Sequence, residues 1–177
     1  PPTKPYVKGD PDWVEHTRKM RAWHIASDDY HTSTARTGRT LSAAEAYAPL
    51  PHFHMVHTVD WRGRCYPQAG PLGYQGAEHQ RAMVEFSRPE PVGEGLEWFL
   101  ITGANLFGVD KVPMEDRVAW VKTNSEELIA AGQNPTTHRI WMEADKPFQF
   151  AAWAAEYARF QHDGESFMSH LPIGVDG

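Results

Sequence analysis

Two arginines on either side of a glycine, in Asp60-Trp61-Arg62-Gly63-Arg64-Cys65-Tyr66, form the first stretch of this chain whose residue types could do chemistry. Each guanidinium is a planar fork of donors matched to phosphate oxygens. Gly63 lets the backbone come close to a ligand, and Tyr66 adds a hydroxyl and a ring. The same residues also read as a surface hairpin whose arginines pair with Asp60, and spacing alone does not separate the two. The second stretch is Asp176-Gly177. A carboxylate at a strand end, with a neighbouring backbone carbonyl, is a hard-oxygen donor set for a divalent cation. An Asp-Gly pair is equally at home in a turn, and one carboxylate is too few for a magnesium active site.

Other candidates carry less. His52, His54 and His57 could ligate a metal, but strand alternation puts His54 on the opposite face from the other two. Gly73-Tyr74-Gln75-Gly76 lacks the lysine and the strand-to-helix context of a phosphate loop, so it reads as a turn. Ser166 stands in Gly-Glu-Ser-Phe-Met rather than in a nucleophile elbow. Cys65 is the single cysteine, which excludes an internal disulfide and a thiolate metal cage.

The chain has 177 residues, enough to bury a core. No run of eighteen apolar residues suggests a membrane-spanning helix, and no basic-then-apolar leader opens it. It begins at Pro1 and stops at Gly177, which suggests a piece of a larger protein. The net charge of −6 argues weakly against a nucleic-acid partner when taken whole. It divides unevenly. Residues 1–64 hold nine Lys/Arg against seven Asp/Glu, and residues 65–177 hold eight against sixteen, so phosphate contacts are expected in the first third.

Several elements must position these groups. Asp10-Pro11-Asp12 predicts a helix start, with Trp13, His16, Met20 and Trp23 recurring at helical spacing. The polar run 28–40, with Gly38, predicts a loop, and Ser42-Ala43-Ala44-Glu45 a capping box for a short helix ended by Pro49. From Phe53 to Val59 the period is two, which predicts a strand; if it ran on, Arg62, Arg64 and Tyr66 would share the face of Asp60, unless Gly63 broke the register. Helices are predicted over 78–87, 94–107 and, in two pieces, 114–131, stopped by Pro89, Gly108 and Gly132. A further helix over 147–161, capped by Asp145, carries aromatics around most of its circumference and should be buried on several sides. Residues 166–177 alternate again, and Asp176 would emerge opposite the apolar face at the end of that strand.

Taken in order, DWRGRCYP (60–67), GAEHQRAMVEFSRPEPVG (76–93), GLEWFLITGANLFGVDKVP (95–113), DKPFQFAAWAAEYARFQHDG (145–164) and LPIGVDG (171–177) resemble the phage-type single-subunit DNA-dependent RNA polymerases, mitochondrial relatives included. The resemblance runs colinearly over about 50–177 and is loose before that. Trp61 leans towards the phage branch.

The resemblance implies an α+β, helix-rich piece of a right-hand polymerase. Residues 1–48 would be the end of the thumb, 49–90 the first part of the palm, 91–165 a helical palm insertion, and 166–177 the palm strand that leads to the catalytic aspartate. It implies template-directed ribonucleotidyl transfer by two Mg²⁺ ions, with Asp176 as catalytic residue and metal ligand and the carbonyl of Gly177 beside it. Arg62, Arg64 and Tyr66 would lie along the template–RNA hybrid, with Arg81 near RNA. The implied partners are template DNA, transcript RNA and nucleoside triphosphates, with no membrane. The implied setting is a monomeric full-length enzyme in the cytoplasm of a phage-infected bacterium rather than a mitochondrion. The family's second metal carboxylate and its nucleotide-binding Lys and Tyr have no counterpart here, so the 177 residues alone are expected to be inactive. The alternatives are a non-catalytic nucleic-acid-binding remnant of a polymerase and an α+β domain whose charged pairs are only structural.

Overall fold

The structure, a computed structural model, describes residues 12–68 and 70–174. The chain divides into two compact units, Pro1–Ala46 and Tyr47–Gly177. The predicted start at Asp10-Pro11 and the site residues Asp176 and Gly177 lie outside the described residues.

In the first unit almost everything described belongs to one helix, α1 (Trp13–Tyr47). This corrects the expected loop over 28–40 and the separate helix at 42–48. No proline interrupts residues 12–48, and the single Gly38 costs only about 1 kcal/mol. Hydroxyl side chains that would favour a loop are satisfied within the helix instead: Thr17 donates to the Trp13 carbonyl at 2.8 Å and Thr40 to that of Arg36 at 3.1 Å. Near its start Glu15 pairs with Arg18 and Lys19. The helix stops two residues before Pro49, as the restriction on residues preceding a proline requires.

The second unit is built on helices. After a short hairpin, β1 (His57–Val59) and β2 (Cys65–Pro67), come α2 (Glu78–Ala82), β3 (Glu90–Pro91), α3 (Leu96–Phe107), α4 (Met114–Thr123), α5 (Ser125–Gln133), α6 (Pro147–Asp163) and β4 (Met168–Ser169). The two sheets are separate two-stranded antiparallel pairs, β1 with β2 and β3 with β4. The fold is α+β and helix-rich, as expected.

The core lies where α3, α5 and α6 meet. Phe99, Leu100, Leu128, Phe150, Trp153 and Tyr157 are all buried there. Trp153 is the centre: its ring stacks on Tyr157 at 5.0 Å and Phe150 at 5.5 Å, and its Nε1–H donates to the Phe99 carbonyl at 2.9 Å. Two glycines let the helices close on it. A Cβ on Gly103 would lie 2.2 Å from the Trp153 ring, and one on Gly132 would lie 2.1 Å from the Ala154 carbonyl oxygen.

Gly132 therefore does not stop a helix, as its position suggested; α5 runs through it to Gln133 because its role is close packing on α6. Gly108 does stop α3, at φ +112°, the left-handed cap that glycine adopts without strain. Asp145 does not cap α6. The residue before that helix is Lys146, which makes no side-chain cap, while the backbone N–H of Asp145 donates to the Phe107 carbonyl.

Two extended readings also shorten. Helix α2 ends at Ala82 rather than 87, because the chain then turns extended and the Phe86 N–H donates to the His170 carbonyl at 2.9 Å. The predicted strand 53–59 pairs only over 57–59, and among the described residues of the run 166–177 only Met168–Ser169 pair. Alternation marks which residues could face a core, but a strand exists only where a partner supplies its hydrogen bonds. The segment 168–170 is tied down from below by the buried Glu156 of α6. That carboxylate accepts the Ser169 hydroxyl and, at 3.0 Å, the His170 N–H.

Candidate nucleic-acid interface

The hairpin β1–β2 pairs His57 with Pro67, Thr58 with Tyr66 and Val59 with Cys65. The extended run therefore ends at Val59, and Asp60 to Arg64 form the tip. The Asp60 N–H donates to the Arg64 carbonyl and the Gly63 N–H to the Asp60 carbonyl, each at 2.9 Å. Gly63 takes φ +79°, the left-handed position that such a tight connection demands. This is the interruption of register that Gly63 threatened, and it removes the shared strand face proposed for Asp60, Arg62 and Arg64.

The Asp60 carboxylate organises the tip. Its Oδ1 accepts the backbone N–H groups of Arg62 and Arg64, both at 2.9 Å. Its Oδ2 accepts Nε of Arg62 at 3.2 Å and Nη2 at 3.1 Å. The Arg64 N–H, then the Arg62 N–H and guanidinium, with a smaller part from Tyr66, hold this carboxyl below the ordinary carboxylate range against the opposing effect of desolvation. Because the folded value is lowered, the contribution of Asp60 is complete at neutral pH and fades only as pH falls through that lowered value.

The arginines differ. The guanidinium of Arg62 is paired with Asp60, reaches the Tyr66 hydroxyl at 3.4 Å, and lies 5.6 Å from the centre of the Trp61 ring. The side chain of Arg64 is exposed and has no partner among the described residues. Trp61 is 92% exposed. The reading in which both arginines are locked to Asp60 thus holds for one of them only.

Arg62, Arg64 and Tyr66 come together on the hairpin, and Arg81 does not join them. It sits on α2 at a cleft of about 560 Å³ that Phe86, Asn105, Lys146, Gln149 and Leu171 also line. The Nε of Arg81 and the Oε1 of Gln149 are buried without a hydrogen-bond partner among the described residues. Tyr74, on the rim of the same cleft, links it to the hairpin through a 2.7 Å hydrogen bond to His57. That bond occupies one of the three histidines considered as metal ligands. Among the described residues no three His, Cys, Asp or Glu side chains converge to hold a metal ion, and no helix is long and apolar enough to cross a membrane. Sequence reasoning weighed Asp60 only as a salt-bridge partner and missed its hold on two backbone N–H groups; the signal was an aspartate three residues before a glycine.

The arginine-bearing hairpin and the helical core occur in a chain of clear kinship. The family of DNA-dependent RNA polymerases matches residues 90–177. T7 RNA polymerase of Escherichia phage T7 is 34% identical over 166 residues, covering 89% of this chain and 19% of that protein. The mitochondrial DNA-directed RNA polymerase of Schizosaccharomyces pombe is 37% identical over 168 residues, covering 93% of this chain and 14% of its own length. The DNA-directed RNA polymerase of Enterobacteria phage K11 is 31% identical over 176 residues, or 95% of this chain and 19% of the relative. This chain belongs to the phage-type, single-subunit DNA-directed RNA polymerases. It spans about a fifth or less of the length of these relatives.

Proposed function

We propose that this chain works as part of a DNA-directed RNA polymerase, a nucleotidyltransferase that copies template DNA into RNA from nucleoside triphosphates. The observation that carries this is the 34% identity to a phage RNA polymerase across 89% of the chain. In this reading residues 49–90 and 166–177 belong to the palm, 91–165 to a helical insertion on it, and 1–48 to the end of the thumb. The full-length enzyme acts as a monomer in the cytoplasm of an infected bacterium.

Asp176 and the carbonyl of Gly177 would hold magnesium. They are hard oxygen donors, the kind that magnesium takes, but too few to complete its shell. When bound, the metal supplies Lewis-acid stabilisation to the attacking and leaving oxygens of phosphoryl transfer. Asp176 contributes the negative charge that fixes it. Arg62, Arg64 and Tyr66 contact the backbone of the template–RNA hybrid, and Arg81 lies near RNA. Such contacts are independent of sequence, as a polymerase that copies any template requires.

The arginine assignment has a direct test. In the full-length protein, replacing Arg62 and Arg64 together with alanine is expected to weaken binding to an RNA–DNA hybrid. It should flatten the slope of log affinity against log salt by about one to two units, roughly one for each phosphate that is no longer neutralised. An unchanged slope would return both arginines to a purely structural role.

A further inference from the structure

We propose that Glu156 is a positioning residue for nucleotide addition: from inside α6 it fixes residues 169–171, the base of the segment that carries Asp176. This rests on the reading of Asp176 as a metal ligand.

Glu156 is only 1% exposed, a costly place for a carboxylate unless its oxygens are satisfied. One oxygen accepts the Ser169 hydroxyl, and the other accepts the His170 N–H at 3.0 Å. The Ser169 oxygen in turn accepts the Leu171 N–H at 3.1 Å. One buried carboxylate therefore orders three consecutive residues, with the exposed Arg159 balancing its charge from 3.8 Å.

These bonds stand where a sheet ladder would otherwise continue. Among the described residues β4 pairs with β3 through Met168 and Ser169 alone. The next two N–H groups go to Glu156 and to Ser169 instead of to a neighbouring strand. A side chain of α6 thus sets the direction in which the chain leaves the sheet. Its neighbours Trp153 and Tyr157 hold α6 in the core, and Leu171 packs against the same cluster.

Asp176 is five residues past Leu171, at most about 17 Å of extended chain. Pro172 fixes its own φ and restricts Leu171 to extended conformations. A short, stiff arm passes a shift at its base on to its end, and phosphoryl transfer tolerates little misplacement.

Charge and positioning predict different results for Glu156→Gln. If Glu156 acts on the metal through its charge, Gln should be as poor as Leu. If it positions the segment, the Gln oxygen can take the His170 N–H and its amide can donate to the Ser169 oxygen, so most of the function should return.

The experiment uses the full-length protein bound to an RNA–DNA hybrid. Manganese binding is followed by electron paramagnetic resonance, beside single-turnover nucleotide addition across a magnesium series. Glu156→Leu and Ser169→Ala are each expected to weaken manganese binding about threefold or more and to slow addition at saturating magnesium about tenfold. The nucleotide concentration giving half the maximal rate should stay within about twofold of the parent. Val121→Ala, which thins the core elsewhere at a fully buried residue, is expected to lower the thermal midpoint without moving manganese affinity. If Glu156→Leu and Ser169→Ala bind manganese like the parent while Asp176→Asn loses it, the proposal fails and the reading of Asp176 stands. If Asp176→Asn binds manganese as the parent does, that reading itself fails. Glu156→Gln as weak as Glu156→Leu would assign the effect to charge, and an equal shift in Val121→Ala would assign it to general loosening; either overturns the proposal. Ser169→Ala, at a half-buried residue, keeps the test open should Glu156→Leu not fold.

Discussion

Trp153→Ala is expected to remove about 4 kcal/mol or more of folding stability, enough to leave the second unit marginal at physiological temperature. Truncating a fully buried tryptophan typically costs about 3–5 kcal/mol, through lost transfer energy and the cavity left behind. Here the side chain is 0% exposed, stacks on Tyr157 and Phe150 and packs at a tilt against Phe99, and each such ring pair adds to the burial term. Domains hold only about 5–15 kcal/mol in total. Thermal unfolding followed by circular dichroism should show a midpoint lowered by about 10 °C or more. Trp153→Phe, which keeps most of the volume but loses the bond to the Phe99 carbonyl, should fall in between. Gly103→Ala attacks the same packing from the other side, because the added carbon meets a ring that is stacked and hydrogen-bonded and cannot retreat. A midpoint shift of under about 3 °C for Trp153→Ala would mean that the core is not centred on this ring.

The core was legible for a physical reason. Helices α3 and α6 carry apolar residues at helical spacing, so Phe99, Leu100, Trp153 and Tyr157 announce both the element and the face it buries. Gly108 marks the end of α3 because no apolar period follows it. Gly132 looked the same in the sequence and means something else, since a glycine after an apolar run can serve either as a left-handed cap or as a place where two backbones touch. Only the partner helix decides between them. Helix α1 was hidden because its hydroxyl-rich middle favours loops locally, and the bonds from Thr17 and Thr40 back to their own helix are invisible until the helix exists. At the hairpin the residue types announced a phosphate contact, but the difference between Arg62 and Arg64 follows from the turn at Gly63, which sets which guanidinium meets Asp60. Asp176 carries almost no signal of its own; its proposed role comes through kinship.

In the full-length polymerase, Asp176→Asn is expected to abolish nucleotide addition while leaving hybrid binding within about threefold of the parent. An amide keeps an oxygen but loses the charge that a hard divalent cation requires of its ligands. Losing a metal's Lewis-acid assistance removes several kcal/mol of transition-state stabilisation, and about 4 kcal/mol is already roughly a thousandfold in rate. Asp176→Glu, which keeps the charge but displaces it by one methylene, should also be severely slowed, because an in-line displacement tolerates little misplacement. The six residues that lead to this aspartate start at His170, whose N–H is held by the buried Glu156 and whose ring Nδ1 donates to the Phe86 carbonyl at 2.6 Å. His170 is thus anchored on both α6 and the extended segment after α2. The proposed hybrid contact lies on a different part of the chain, the hairpin with its exposed Arg64, and on that proposal the two readouts should separate. Single-turnover extension of a labelled primer, run beside hybrid affinity on the same preparation, tests the separation. A turnover rate within tenfold of the parent for Asp176→Asn would place the metal's carboxylates elsewhere in the protein.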